Sequence, residues 1–324
     1  MLQPNRETLE VRTVFIIRIG AIVGAAISLI GPTLSYAQES GCKPKQYAEL
    51  AVTYSPGGGV ILPVTIDGKP ENMVLDLSFP YVVISPAVIS ELGLKVFHAS
   101  AVFNLGGRPS NSFTKVSDLR IGGVSYPGWD LLINTGQDAS ETPEPGEPIG
   151  SIGWELFHYF DLELDLGHDK VRIFSDQHCR GVPPVYWTHS YSELALRPSP
   201  LKTLYFVMQA DGKNLETTLA ANSNTTLIFA EVTKVAYGWD ETTSEQGYRT
   251  MSLSSPGLKI TDARVRVVRL NRCSLIGLDR DGAYRFSDCF GIHPLKLGVD
   301  VLKKVRIYMA VKAERMYISA WDAQ

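Results

Sequence analysis

The sequence predicts a mainly β chain, and three observations carry that prediction. Short runs rich in Val, Ile, Tyr and Phe recur between Gly, Pro and Asp turns. No long segment keeps a helical period. One unit of the pattern also occurs twice. A hairpin-type turn, Asp67-Gly68-Lys69, leads into the apolar run that ends at Asp76, and Asp211-Gly212-Lys213 leads into the run that ends near Ala221. Asp76 and Ala221 lie 145 positions apart, as do Gly153 and Gly298, so the spacing predicts a duplicated unit with Ala221 in the place of Asp76.

In chain order, residues 1–37 read as a secretory signal peptide. Arg6, Arg12 and Arg18 precede an apolar stretch from Ile19 to Ile30, and Ser35-Tyr36-Ala37 is a small-residue cleavage site. The stretch is short for a membrane span, which needs about 20 residues, so an uncleaved anchor is the lesser alternative. The expected location is periplasmic or secreted. The first lobe is expected over 38–180. In it, Val60–Ile66 and Leu75–Ser85 supply strands, and Pro86 and Gly93 bracket a short helix. Phe103–Arg108 is a hairpin tip, and Leu119–Val124 and Trp129–Ile133 are further strands. The acidic, proline-rich run 137–148 is a solvated loop, and a short helix over Trp154–Tyr159 precedes a closing hairpin. Four prolines mark 181–200 as the connection, and 201–324 repeats the order in shortened form, closing on Val305–Met309 and Arg315–Ser319.

Composition narrows the function classes. Net charge is −3 with acidic and basic residues intermixed, so neither nucleic acid nor a membrane surface is an expected partner. The cysteines Cys42, Cys179, Cys273 and Cys289 are even in number, which in an exported chain favours disulfides. Of the three possible pairings, Cys42–Cys179 with Cys273–Cys289 is preferred, since the first ties the ends of lobe one and the second staples a local excursion. No C-x-x-C or paired Cys/His spacing points to a metal, and the six histidines show no ligand spacing. A G-x-S-x-G nucleophile motif is absent, and Gly57-Gly58-Gly59 and Gly106-Gly107 lack the strand-to-helix setting of a phosphate loop. No cofactor is expected.

The ordered series of motifs resembles the lobe plan of aspartic peptidases. An apolar strand runs into Asp76, Val83–Pro86 leads through a helix to Leu92-Gly93-Leu94, and Ile152-Gly153 precedes a short helix. The bacterial exported retropepsin-like proteins, with two such lobes in one chain, are the closest match. The resemblance covers nearly all of 47–320 and implies two tandem β-barrel lobes with a cleft between them. It also implies an Asp-Thr/Ser-Gly motif in each lobe, the two carboxylates sharing one proton so that one activates water and the other acts as acid.

This chain departs from that pattern where the chemistry sits. Lobe one offers Asp76-Leu77-Ser78, with Leu77 in place of the hydroxyl and Ser78 in place of glycine. Lobe two offers Ala221-Asn222-Ser223, and Ala221 cannot carry a proton. The nearest acid upstream, Glu216, is expected on the strand outside the site. Asp76 is then either a structural carboxylate or a ligand for a bound peptide. The leading expectation is an inactive aspartic-peptidase homologue that binds an extended peptide or a partner's strand in the cleft. The alternatives are an atypical endopeptidase that borrows a second Asp76 by dimerisation, and a structural envelope protein without a cleft ligand.

Overall fold

The structure is a computed structural model that describes residues 44–105, 108–134, 143–144, 146–177, 182–239, 247–270, 273–289 and 291–323. Cys42, Cys179, the signal region, Gly106-Gly107 and most of the acidic run 137–148 lie outside them. The strands of the described residues form three sheets. A ten-stranded sheet holds the strands from Thr53 to Gly153, a nine-stranded sheet those from Arg197 to Gly298, and a six-stranded sheet joins the two.

Each lobe is built on a hairpin that the sequence specifies tightly. In lobe one, strand Val60–Ile66 pairs with Lys69–Asp76, and Val60, Leu62, Val64 and Ile66 alternate onto the core face. Asp67 and Gly68 both take positive φ, as a two-residue turn between twisted strands requires. Lobe two repeats this with Leu204–Ala210, a turn at Asp211 and Gly212, and Lys213–Ala220. The expected helix after Pro86 forms as one short turn over Pro86–Val88 and one over Ile89–Leu92, ended by Gly93 in the left-handed region. A helix over Ala230–Tyr237 in lobe two was not anticipated by the periodicity.

The two closing hairpins do not stand apart. Strand Phe160–Asp165 pairs with Lys170–Ser175 on one edge and, on the other, with Val305–Ala310 from the far end of the chain. Residues Ser192–Ala195, expected as connection, extend the same sheet beside Arg315–Ala320. Leu162 and Leu164 face Met309 and Ile307 across the lobe boundary, all four buried. Cys273 and Cys289 form the expected disulfide.

The loops at the lobe boundary are packed against glycines. Gly153 lies beside Asp76 in a parallel ladder, and a Cβ there would strike the carbonyl oxygens of Pro80 and Tyr81. Gly298 has the same role in lobe two, where a Cβ would meet Thr225 and the Thr226 amide. Overpacking of this kind costs roughly 1–3 kcal/mol. Gly153→Ala should therefore destabilise the protein by about 2–3 kcal/mol in urea unfolding, and Gly298→Ala by a similar amount.

Candidate functional site at the lobe boundary

Asp76 ends its strand at the boundary, and the chain turns at once, with Phe79 N–H donating to the Asp76 carbonyl at 3.3 Å. The carboxylate is engaged on its own side: Ser78 donates to Oδ1 from its amide (3.1 Å) and from its hydroxyl (2.6 Å). From lobe two, the exposed Asn222 side chain reaches the same carboxylate, and the Lys296 ammonium adds a nearby positive charge. Burial pushes the Asp76 carboxyl above its ordinary value, and these partners pull it back only in part.

The position facing Asp76 by symmetry is Ala220, not Ala221. Three features agree on this. Lys69–Asp76 and Lys213–Ala220 are both eight-residue strands starting at the same turn. The turn bond from Phe79 to Asp76 is repeated from Ser223 N–H to the Ala220 carbonyl, 3.1 Å. Gly153 pairs with Asp76 and Gly298 with Ala220. The halves are thus 144 positions apart through the hairpin and 145 at the glycines. One extra residue in lobe two, between the turn and Gly298, accounts for the difference. The constant spacing read from the sequence put Ala221 one place too far along. The correction leaves the chemistry unchanged, because Ala220 carries no acid either.

Of the residues expected at the site, Asp76, Ser78 and Asn222 come together. Leu77 and Ala221 are buried in the hydrophobic core instead. Ser223 serves its own loop, its hydroxyl accepting from Thr225 N–H at 3.2 Å and its carbonyl from Val299 N–H at 2.8 Å.

The lobes also hold each other by a matched pair of turns. The turn Ser55–Gly59 of lobe one lies on the lobe-two loop: Asn224 N–H donates to the Gly57 carbonyl (3.1 Å), and Val60 N–H to the Ala221 carbonyl (2.7 Å). Its counterpart Ser199–Thr203 lies on lobe one. Trp154 Nε1 donates to the Lys202 carbonyl (2.8 Å), and the Lys202 ammonium meets Glu155 (3.2 Å) and stands 5.7 Å from the centre of the Tyr81 ring. Behind this second turn sits a polar chain that sequence reasoning missed. Thr203 Oγ1 is 2.9 Å from His293 Nε2, and His293 Nδ1 is 3.0 Å from Glu216, with Tyr205 stacked on the imidazole. Glu216 is the acid expected outside the site, and it is buried in this chain, four positions before Ala220.

An aromatic wall rises from the Asp76 loop. Phe79 packs edge-on to Tyr81 at 5.5 Å, and Tyr81 to Phe103 of the overhanging hairpin at 5.3 Å. These rings are half-buried, so they belong to the wall of the site and not to the core.

Comparison with known proteins agrees with this geometry. Residues 62–156 match the family model described as Aspartyl protease. No curated protein sequence matches the chain. Basic 7S globulin from soybean is similar in structure, with a TM-score of 0.50 at 9% identity over 86% of this chain and 96% of that one. Conglutin gamma, a basic 7S globulin from lupine seeds, gives 0.48 at 10% identity over 86% and 95%. The fold is that of the aspartic proteases. The family match spans the Asp76 loop and Gly153.

An acid with a raised folded value stabilises the protein below its unfolded value, 3.8 here, and loses that contribution as pH rises through the folded value. Asp76→Asn, neutral throughout, should therefore gain stability relative to the unsubstituted protein as pH rises from about 3.5 to about 7. Urea unfolding of both at the two pH values gives the unfolding free energy of the variant minus that of the unsubstituted protein, and a difference that stays constant or falls as pH rises would contradict the burial argument.

Proposed function

We propose that this chain is an exported aspartic-peptidase homologue that no longer cleaves peptides and instead holds an extended peptide, or a strand of a partner protein, between its lobes. The proposal includes the processing and organisation read from the sequence: a signal peptide through residue 37, lobes over 38–180 and 201–324, and a connection between them. The observation that carries it is Ala220 in the place of the second acid. Aspartic catalysis divides base and acid between two coupled carboxyls, and Ala220 offers nothing to share the proton of Asp76.

Three further features support the reading. Asp76 already accepts two bonds from Ser78 at Oδ1 and lies within reach of Asn222, so much of its hydrogen-bonding capacity is spent within the protein. The wall of Phe79, Tyr81 and Phe103 offers ring faces and edges suited to the side chains of an extended segment. The disulfide fits an oxidising compartment.

The test is an unbiased peptide library incubated with the purified mature protein from acid to neutral pH, with bound and cleaved products both read by mass spectrometry. The expected outcome is a set of retained, intact peptides whose binding falls at least about tenfold in Tyr81→Ala, the size of one lost aromatic contact of roughly 1.4 kcal/mol. Cleavage that disappears in Asp76→Asn would overturn the reading in favour of a working peptidase. Absence of both binding and cleavage would leave a structural protein.

A further inference from the structure

The register of the two lobe sheets places one row of side chains beside the ends of the matched strands. Residues two apart on a strand share a face, and so do residues paired across a ladder. In lobe one the row next to Asp76, on the same face, runs Val74, Ser151, Val83 and Leu132. In lobe two the row next to Ala220 runs Thr218, Lys296, Leu227 and Arg266. The rows correspond residue by residue, because each parallel or antiparallel ladder of the first has its counterpart in the second. Lobe one carries no charge on this row. Lobe two carries Lys296 and Arg266.

The duplication supplies an internal control. The fold does not require these charges, since lobe one builds the same row with Ser151 and Leu132 in their places. Neither cation is lost in the core: Lys296 is half-buried and Arg266 exposed. The Lys296 charge acts on Asp76 across the boundary, which puts the ammonium on the site's side of its sheet. An ammonium has three donors, so contact with Asp76 leaves capacity for a further acceptor. Arg264, on the same face as Arg266, lies 4.0 Å from the centre of the ring of Tyr248, which pairs with Arg266. It extends the positive wall. Glu216, two positions before Thr218, is buried against His293. These cations gather on one wall of a chain whose net charge is −3.

We propose that the lobe-two wall recognises a carboxylate of the bound segment through Lys296 and Arg266. This deepens the peptide-binding reading above and rests on it. The occupant is then an acidic peptide segment, with its carboxylate on the lobe-two wall and an apolar side chain against Phe79, Tyr81 and Phe103. The two donors are complementary: the guanidinium offers a planar fork and the ammonium a compact charge. Partial burial strengthens such bonds relative to bulk water. The same charges repel a lysine or arginine of a competing segment, so selection works by exclusion as well as attraction. A wall that is aromatic on one half and cationic on the other also fixes direction. The pseudo-symmetric boundary accepts its occupant one way round. A side-chain carboxylate and a C-terminal carboxylate present the same chemistry, and the experiment separates them.

Retention of a random peptide library by the mature protein tests this, with matched forms in which Asn and Gln replace Asp and Glu, the C-terminus is amidated, or both. The expected result is that the form lacking every carboxylate is held at least about tenfold less well than the random library. Retention that survives amidation assigns the carboxylate to a side chain, and retention that survives only with a free C-terminus assigns it to the terminus. Arg266→Glu, at an exposed position, should turn the preference toward peptides rich in Lys and Arg, and Lys296→Gln should weaken the preference for acid. Lys213→Glu makes the same change in charge at the far end of its strand from Ala220 and should do neither. Retention indifferent to every carboxylate, or a preference moved as much by Lys213→Glu as by Arg266→Glu, overturns the assignment and leaves peptide binding standing. Retention of no peptide overturns both. Circular dichroism of each variant distinguishes lost recognition from lost fold.

Discussion

Everything at the lobe boundary depends on one pairing, strand Phe160–Asp165 of the first lobe against Val305–Ala310 of the second. Its backbone bonds are reinforced by a buried carboxylate. Glu163 accepts from Arg172 of its own lobe and, at 2.8 and 3.0 Å, from Arg306 of the other, and the Tyr186 hydroxyl donates to it at 2.8 Å. A carboxylate buried so completely would be strongly unfavourable alone, and it persists because two guanidinium groups and a phenol meet it. Beside it, burial would raise the Asp165 carboxyl, but the bonds from His168 and Arg172 hold it below its ordinary value. The result is a sheet that behaves as one piece, which is why the residues after 41 form a single compact unit despite two lobes.

On that base, the two halves match in scaffold and differ at their strand ends. The parts that shape the boundary are intact in both halves: a positive-φ hairpin turn, a tight turn after the strand, and a glycine pressed against it. The strand that ends at a carboxylate, Asp76, in one half ends at Ala220 in the other. Leu77 and Ala221 occupy matched positions and both face the core, so the loops are held by packing and by the exchanged turns where a hydroxyl bridge would otherwise serve. Asp76 fits this division. Its bonds to Ser78 fix its own turn, and its approach to Asn222 reaches the loop of the second lobe.

Much of this was legible in the sequence, and the failures have physical causes. The hairpins were readable because Asp-Gly turns and alternating Val, Ile and Leu are local signals. That the second half carries no acid at the matching turn was readable for the same reason, since none stands anywhere from Ala220 to Ser223. The exact facing residue was not, because the glycines lie 145 apart while the strands lie 144 apart, and one added residue between them leaves no local mark in the sequence. The two Asp-Gly turns, 144 apart, already carried the correct value. The Thr203–His293–Glu216 chain escaped notice because its members are brought together by parallel pairing of distant strands, which leaves no spacing to detect. The joining of the closing hairpins was hidden likewise: each looked complete, and only three dimensions show that each lends an edge to the other.

That shared sheet has a consequence for how the chain must be made. A ribosome delivers Phe160–Asp165 roughly 145 residues before Val305–Ala310, and long-range pairing of this kind is slow to form. Until Val305–Ala310 has emerged, the first lobe exposes an unpaired edge, with Leu162 and Leu164 uncovered and Glu163 lacking Arg306. The first lobe therefore waits, with one edge of its closing hairpin open, on a segment made long after its own strands.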